Sequence, residues 1–168
     1  IKNIRAKVFI NFIPTAIYDP NHCLQSTVKW ANSLDFDPKN IIFEVVESEN
    51  IEDIEHLKNI LNFYKSKGFM VALDDVGSGY SSLNMIVQLL PDIVKVDREI
   101  IKEIDKNRAN QSVFAAIVNI AKENNITVLA EGIETKEEYL YLKDNGASLV
   151  QGYYFAKPSS EPIRKINF

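Results

Sequence analysis

Six short β-branched segments alternate with longer amphipathic segments along the chain, and this alternation constrains the fold more than any other feature. Several short segments are apolar on both faces, IIFEVV and ITVLA among them, as expected of strands in a parallel sheet that helices cover. The predicted strands are Val8–Asn11, Ile41–Val46, Phe69–Asp74, Ile93–Asp97, Ile126–Ala130 and Ser148–Gly152. Strands that alternate with helices predict an α/β fold.

The amphipathic segments between these strands have recognisable helix ends. The predicted helices are Pro20–Leu34, Ile51–Ser66 with Asn50 as N-cap, Ser81–Leu90, Arg98–Lys106, Asn110–Asn124 and a last one that starts at a Thr135–Glu138 capping box and stops at Gly146. A barrel of eight β/α units usually needs about 250 residues. Six units in 168 residues therefore fit an open doubly wound sheet or a barrel without its first two units, and periodicity leaves both open.

Composition and charge narrow the class of protein. With 46% hydrophobic and 25% charged residues and no internal linker, the chain is expected to be one globular domain. A net charge of −4 argues against DNA binding, and no apolar run approaches the roughly 20 residues of a membrane span. The single cysteine, Cys23, favours a reducing compartment. We expect a cytoplasmic domain without direct membrane contact.

Polar side chains mark the carboxyl end of nearly every predicted strand. In order along the chain they are Asn11, Glu44 with Glu47 beyond it, Asp74 with Asp75, Asp97, Glu131 with Glu134, and Gln151. The carboxyl ends of parallel strands form one face, where α/β folds carry their sites. A single acid there is more often a solvated residue or a helix cap, but crowded carboxylates repel each other unless a cation binds them. Oxygen ligands, with both histidines elsewhere, indicate Mg²⁺, Mn²⁺ or Ca²⁺ and not zinc.

Lys95 lies in the middle of a predicted strand, on the face opposite Val94 and Val96. A buried lysine needs a carboxylate neighbour, which Asp97 or the strand-end acids could supply. Two roles stay open: a structural ion pair, or a cation that orients a water or stabilises charge on a phosphoryl group. The Gly77-Ser-Gly79 turn is likewise either a flexible connection or a loop that positions Asp75.

Six of these strand-end motifs resemble, in order, those of the EAL family of bacterial cyclic di-GMP phosphodiesterases. Asn11 in Ile-Asn-Phe-x-Pro is similar to the family's metal-binding asparagine. The other five are Glu44-Val-Val-Glu47, Asp74-Asp75-Val-Gly-Ser-Gly, Lys95-Val-Asp97, Glu131-Gly-Ile-Glu134 and Gln151-Gly-Tyr153. The resemblance runs nearly end to end over the residues present.

The resemblance implies a role for each matching residue. Asn11, Glu44, Asp74 and Glu131 would bind a first Mg²⁺ or Mn²⁺, and Asp75 would help to hold a second ion. Lys95 would contact the nucleophilic water, Glu134 and Gln151 would complete its hydrogen-bond network, and Glu47 would anchor the glycine-containing loop. The implied reaction is hydrolysis of cyclic di-GMP to linear pGpG, which suits catalysis by two metal ions.

The largest departure from the family is the absence of its Glu-Ala-Leu segment, whose glutamate would be a further ligand. The resemblance therefore implies that residues 1–168 are one TIM-barrel-like EAL domain, the C-terminal six of eight β/α units, with weak or no turnover by itself. A receptor that binds cyclic di-GMP without cleaving it is the alternative. Open sheet edges favour a homodimer, and the family implies upstream sensor or cyclase domains in a parent protein that could be membrane-anchored.

Overall fold

Six parallel strands lie side by side in chain order in the computed structural model, which describes residues 7–14, 17, 19–46, 53–77 and 82–161. The strands are β1 (Val8–Asn11), β2 (Ile41–Val46), β3 (Met70–Val76), β4 (Ile93–Val96), β5 (Thr127–Ala130) and β6 (Leu149–Val150). A doubly wound sheet would reverse its strand order at a switch point. The unbroken order instead gives a sheet that curls as half of a barrel, which resolves the choice that periodicity left open.

Helices cover the outer face of this sheet. They are α1 (Pro20–Ser33), α2 (Ile54–Ser66), α3 (Ser82–Leu89), the single turn α4 (Arg98–Ile101), α5 (Arg108–Glu123) and α6 (Lys136–Asp144), with a 3₁₀ turn at Pro38–Asn40. Among the described residues, no helix is both long enough and apolar enough to cross a membrane. The main core lies between the sheet and the helices, where Val45 and Val94 of the strands and Phe114 and Ile117 of α5 are almost fully buried.

Most predicted helices differ from the structure by one or two residues at an end, and two of them differ by more. The N-cap of α2 is Asp53, whose side chain accepts the backbone N–H of His56 at 2.8 Å; the predicted cap, Asn50, lies outside the described residues. The predicted helix Arg98–Lys106 ends after Ile101. In a continued helix the N–H of Glu103 would donate to the carbonyl of Glu99. Here the Glu138 carboxylate accepts that N–H at 2.9 Å, and Asn110 Nδ2 donates to that carbonyl at 3.0 Å.

A second, smaller apolar cluster fills the concave face of the sheet. It consists of Ile42, Ala72, Ile93 and Leu129, one residue from each of β2 to β5, with Phe9 and Met70 packed against it. Because side chains alternate between the two faces of a strand, the residue two positions further along each strand faces the same side. Two positions after the four cluster residues stand four charged residues: Glu44, Asp74, Lys95 and Glu131.

Candidate metal centre and adjoining cavity

A charged layer lies directly beyond the inner apolar cluster, on the same concave face. Glu44, Asp74 and Lys95 each follow a cluster residue of their own strand by two positions, and Glu131 stands just past the end of β5. Each comes from a different strand or strand end, so neighbouring strands bring together side chains that are far apart in sequence. Glu44, Asp74 and Lys95 are buried. The prediction that the strand ends converge is confirmed for these four residues.

Lys95 lies at the centre of the charged layer. Its Nζ is 2.6 Å from Glu44 Oε1, 2.8 Å from Asp74 Oδ1 and 3.0 Å from Glu131 Oε1. Burial by itself lowers the pKa of Lys95, but the bonds to Asp74 and Glu44 and the charge of Glu131 outweigh burial and hold that pKa well above its ordinary value. Lys95 is therefore a permanent cation at neutral pH, a donor of hydrogen bonds and not a base.

Of the two carboxylate sources considered for Lys95, the structure selects the strand-end acids. The side chain of Asp97 has a different task, because it accepts the backbone N–H of Glu99 at 2.7 Å and caps α4. The two valines that flank Lys95 are fully buried on the opposite, helix-covered face, as their alternation predicts.

A β-bulge in β3 sets the positions of Asp74 and Asp75. Leu73 pairs with Val94 and Val76 pairs with Val96, so residues 73 to 76 of β3 span residues 94 to 96 of β4, one residue more than regular pairing allows. Asp75 adopts the left-handed conformation, with φ of 56°, which few residues other than glycine, asparagine and aspartate adopt readily. The predicted strand ends at Asp74; in the structure it continues through the bulge to Val76.

The bulge brings two adjacent carboxylates into one cluster. In a regular strand, neighbouring side chains point to opposite faces, yet ligand oxygens of Asp74, Asp75 and Glu131 all lie within 4.8 Å of one another. Burial raises the pKa of Glu131 above its ordinary range, and the nearby charges of Asp74 and Glu44 add to this while Lys95 opposes it. The layer thus holds four carboxylates, three of which share the Lys95 ammonium. This excess of negative charge suits divalent cations with oxygen ligands.

Asn11 stands at the rim of the same layer. It ends β1 and pairs in register with Glu44 of β2, and its side chain is exposed. This position places an amide oxygen source beside the carboxylates, on the strand that forms one edge of the sheet. Glu47, predicted to support the glycine-containing loop, lies outside the described residues, as do residues 78–81 of that loop.

A cavity of about 520 Å³ opens at the ends of β5 and β6. It is lined by Arg98, Gly132, Glu134, Gln151, Gly152, Tyr153, Ala156, Lys157 and Pro158. The Glu134 carboxylate lies 2.8 Å from Arg98 Nη2, and the other guanidinium nitrogen, Nη1, donates to the carbonyl of Gly132. The structure thus groups the predicted residues Glu134 and Gln151 in one cavity and gives Glu134 an arginine partner that the sequence did not predict.

The segment between β5 and α6 carries both Glu131 and Glu134, and close contacts hold it in place. The N–H of Glu131 donates to Val96 O at 3.1 Å, and that of Ile133 donates to Gln151 O at 3.1 Å. Gly152 lies so close to this segment that a Cβ atom there would overlap backbone atoms of Ile133. The predicted strand Ser148–Gly152 is therefore reduced to Leu149–Val150, because the chain turns at Gly152 to pack under the segment.

Glu138 fixes the far end of the same segment. The predicted capping box is confirmed, since Thr135 Oγ1 accepts the N–H of Glu138 at 3.2 Å and the Glu138 carboxylate accepts that of Thr135 at 3.1 Å. The carboxylate also accepts the N–H of Glu134 at 2.9 Å. Its third bond, to Glu103, reaches another loop, and no local sequence signal indicates it.

Comparisons with known proteins agree with this geometry. A family model described as the EAL domain matches residues 2–158. The chain is 33% identical over 149 residues to the probable cyclic di-GMP phosphodiesterase PdeG of Escherichia coli K12, covering 89% of this chain and 29% of that protein. It is 32% identical over 162 residues to the blue light- and temperature-regulated antirepressor BluF of the same strain, covering 95% and 40%. The chain thus spans less than half the length of both relatives.

Two solved structures have the same fold. One is a standalone versatile EAL protein from Vibrio cholerae O395 in its c-di-GMP-bound form, with a TM-score of 0.91 and 42% identity over 98% of this chain and 70% of that one. The other is BlrP1 of Klebsiella pneumoniae at pH 9.0 with manganese and cyclic di-GMP, with a TM-score of 0.83 and 31% identity over 90% and 39%.

Proposed function

The chain belongs to the EAL domain family, and from that membership we propose that it forms part of a metal-dependent phosphodiesterase that hydrolyses cyclic di-GMP to linear pGpG. Relatives named as cyclic di-GMP phosphodiesterases and structures with bound c-di-GMP support the substrate. The observation that carries the proposal is the charged layer itself, where Asp74, Asp75 and Glu131 converge around an oxygen-lined site next to Lys95.

The proposed metal ligands are the oxygen-bearing residues of this layer. Asn11, Glu44, Asp74 and Glu131 would hold a first Mg²⁺ or Mn²⁺, and Asp75, brought in by the bulge, would help to hold a second. The manganese in the BlrP1 structure supports this choice of ion. When bound, such ions supply an acidified water and offset the charge of the transition state.

Lys95 is proposed to act as a fixed cation beside the reacting phosphate. Its ammonium already bonds three carboxylates, so it offsets the repulsion among those acids and keeps their oxygens oriented. With its pKa raised, Lys95 keeps its proton. All three of its N–H groups donate to carboxylates, so one of these bonds would have to be exchanged, as a carboxylate turns to a bound metal ion, before Lys95 donates to the attacking water or to a phosphoryl oxygen.

Glu134 and Gln151 are proposed to complete the hydrogen-bond network of the site from the neighbouring cavity. The cavity holds a carboxylate, an amide and the cations Arg98 and Lys157, a mixture that suits a charged, polar ligand such as a nucleotide. Glu47 keeps its proposed role as support of the glycine-containing loop on the resemblance alone.

The test is to incubate the chain with cyclic di-GMP and Mn²⁺ or Mg²⁺, and to separate substrate from linear product over time. We expect product that EDTA abolishes and that the Asp74→Ala variant does not form. The Glu55→Gln variant is the matched control, because it removes an exposed carboxylate on α2 that pairs only with Lys58 among the described residues. Product formation that persists in EDTA or in Asp74→Ala would contradict the proposal.

The rate of the 168-residue chain alone is expected to be low. Asn11 lies on an edge strand whose outer side has no partner among the described residues, so the position of this ligand is less well fixed than those on β2 to β5. A rate that rises when the neighbouring strands of the barrel are supplied would support this explanation.

A receptor that holds cyclic di-GMP without cleaving it is the second candidate. The similarity to the antirepressor BluF, whose name describes regulation and not hydrolysis, favours it. Binding measured by calorimetry separates the two functions, since a receptor would bind cyclic di-GMP in EDTA and release no product with Mn²⁺ present.

We propose further that the domain acts in the cytoplasm as a homodimer, linked to sensor or cyclase domains. The sheet ends in two edge strands, and Val8, Ile10 and Leu149 on them are exposed, which favours pairing with a second copy. A purely monomeric sedimentation profile at high concentration would contradict the dimer.

A further inference from the structure

The Glu138 carboxylate receives backbone hydrogen bonds from two separate loops. Its Oε2 accepts the N–H groups of Glu134 and Thr135, in the segment between β5 and α6. Its Oε1 accepts the N–H of Glu103, in the connection between β4 and α5. Glu138 itself is 3% exposed. Burial raises the pKa of this carboxyl, but the three backbone bonds outweigh burial and lower it, which keeps Glu138 ionised at neutral pH.

Both loops lead directly to the charged layer. The connection after β4 begins two residues beyond Lys95, and its first helical turn carries Arg98. The segment after β5 begins with Glu131, which bonds Lys95 at 3.0 Å. Arg98 links the two loops a second time, through the Gly132 carbonyl and the Glu134 carboxylate. Glu138 and Arg98 therefore bridge the same two loops.

We propose that Glu138 is a positioning residue, which ties the loops after β4 and β5 together and thereby sets the place of the Glu131 carboxylate relative to Asp74 and Asp75. This inference rests on the proposed metal-dependent function. The backbone hydrogen bonds of the segment after β5 show how the effect reaches Glu131. The carbonyl of Val96 accepts the N–H of Glu131, the carbonyl of Gln151 accepts that of Ile133, and the Glu138 carboxylate accepts the last two N–H groups of the segment. If Glu138 releases its two amides, only the first half of the segment stays fixed.

A carboxylate is needed for this role, because one side chain must accept three N–H groups. Carboxylate oxygens offer about four acceptor sites, whereas an amide of the same shape has one accepting oxygen and an NH₂ group that donates. In the Glu138→Gln variant, either Glu103 or the pair Glu134 and Thr135 faces an NH₂ group instead of an acceptor. The tie between the loops is lost while the size of the side chain is kept.

The experiment measures Mn²⁺ binding to the purified chain by electron paramagnetic resonance, for the wild type, Glu138→Gln and Thr135→Ala. Thr135→Ala is the matched control, since it removes the other half of the capping box but leaves the Glu138 carboxylate in place. We expect the dissociation constant for Mn²⁺ to rise at least tenfold in Glu138→Gln and to change less than twofold in Thr135→Ala. Equal affinity in Glu138→Gln and wild type, or equal losses in both variants, would overturn the inference.

A second measurement uses the wild type alone and does not depend on a variant that folds. Coupling between two sites is reciprocal, so Mn²⁺ bound at Glu131 must also strengthen the tie at Glu103. We expect Mn²⁺ to slow hydrogen exchange of the Glu103 amide at least tenfold more than that of the Ala109 amide. Ala109 is the reference because its N–H, in the first turn of α5, donates to the side chain of Asn107 and not to Glu138. Equal slowing at both amides would overturn the inference. A wild type that binds no Mn²⁺ would instead overturn the proposed function, and this inference with it.

Discussion

Lys95 Nζ lies 2.6 Å from Glu44 Oε1, and both side chains are almost completely buried on the concave face of the sheet. A buried ion pair is costly to break, because removing one partner leaves the other charge without compensation in a poorly solvated place. Here a single ammonium group compensates three acids, so its loss affects all of them.

Replacing Lys95 by methionine is expected to lower the free energy of unfolding in EDTA by about 3 kcal/mol, because Glu44, Asp74 and Glu131 then lack their shared cation. Urea titration of wild type and variant measures the loss. We expect Mn²⁺ to restore part of it, since a divalent cation also compensates the acids. A variant as stable as the wild type in EDTA would show that the acids are compensated in some other way.

Glu131→Gln is expected to make the metal-free chain at least as stable as the wild type at pH 7, while it weakens Mn²⁺ binding. The pKa of Glu131 is raised by burial, so the folded state binds its proton more tightly than the unfolded state does. The contribution of Glu131 to the stability of the wild type then falls as pH rises from its unfolded pKa through its folded pKa. Urea unfolding in EDTA from pH 4 to pH 7 tests this: the advantage of the variant should grow with pH. A stability advantage of the variant that shrinks with rising pH would contradict a raised pKa of Glu131.

Asp75 is expected to tolerate asparagine but not valine. Its φ of 56° is accessible to asparagine, whereas a β-branched residue there is strained by roughly 2 kcal/mol. We expect Asp75→Asn to unfold within about 0.5 kcal/mol of the wild type, a typical surface-substitution range, and Asp75→Val to be clearly less stable. Both variants should lose metal-dependent hydrolysis. Equal stability of the two variants would argue against the bulged conformation.

Gly152→Ala is expected to destabilise the chain by about 3 kcal/mol, because the new Cβ overlaps the backbone of Ile133 and forces it to move. Gly68→Ala is the control: its φ is +87° but the nearest atom to a Cβ there, Pro38 Cβ, is 3.5 Å away, so only backbone strain of about 1 kcal/mol remains. Thermal unfolding compares them. Mn²⁺ affinity should fall only in Gly152→Ala, and equal affinities would show that the Ile133 backbone does not position Glu131.

Local patterns predicted the strands and the convergence of their ends, because those depend on the order of residues within each segment. The bounds of β1 and β2 agree with the prediction residue for residue. The face that carries Lys95 also follows from alternation along its strand, since Val94 and Val96 on either side of it point to the opposite face.

Features that depend on contacts between distant segments were not predictable from the sequence. The early end of α4 is an example. The sequence after Ile101 continues the helical pattern, but the side chains of Glu138 and Asn110 bond the Glu103 N–H and the Glu99 carbonyl, which would otherwise pair and extend the helix. The pair of Arg98 with Glu134 and the bulge at Asp75 are likewise set by neighbouring strands and loops. One sequence signal bears on the position of Arg98: it directly follows Asp97, a residue well suited to cap a helix, so it is expected in the first turn of a helix at the end of β4.

The alternation of apolar and charged residues on the concave face also determines which pairings of the sheet are excluded. A shift of β2, β3 or β4 by one residue would exchange the two faces of that strand and push Glu44, Asp74 or Lys95 into the apolar core between the sheet and the helices. A shift of β4 would also take the Lys95 ammonium away from Glu44, Asp74 and Glu131, which it bonds in the native register. The charged layer that is proposed to bind metal ions therefore also disfavours strand pairings that are shifted by one residue.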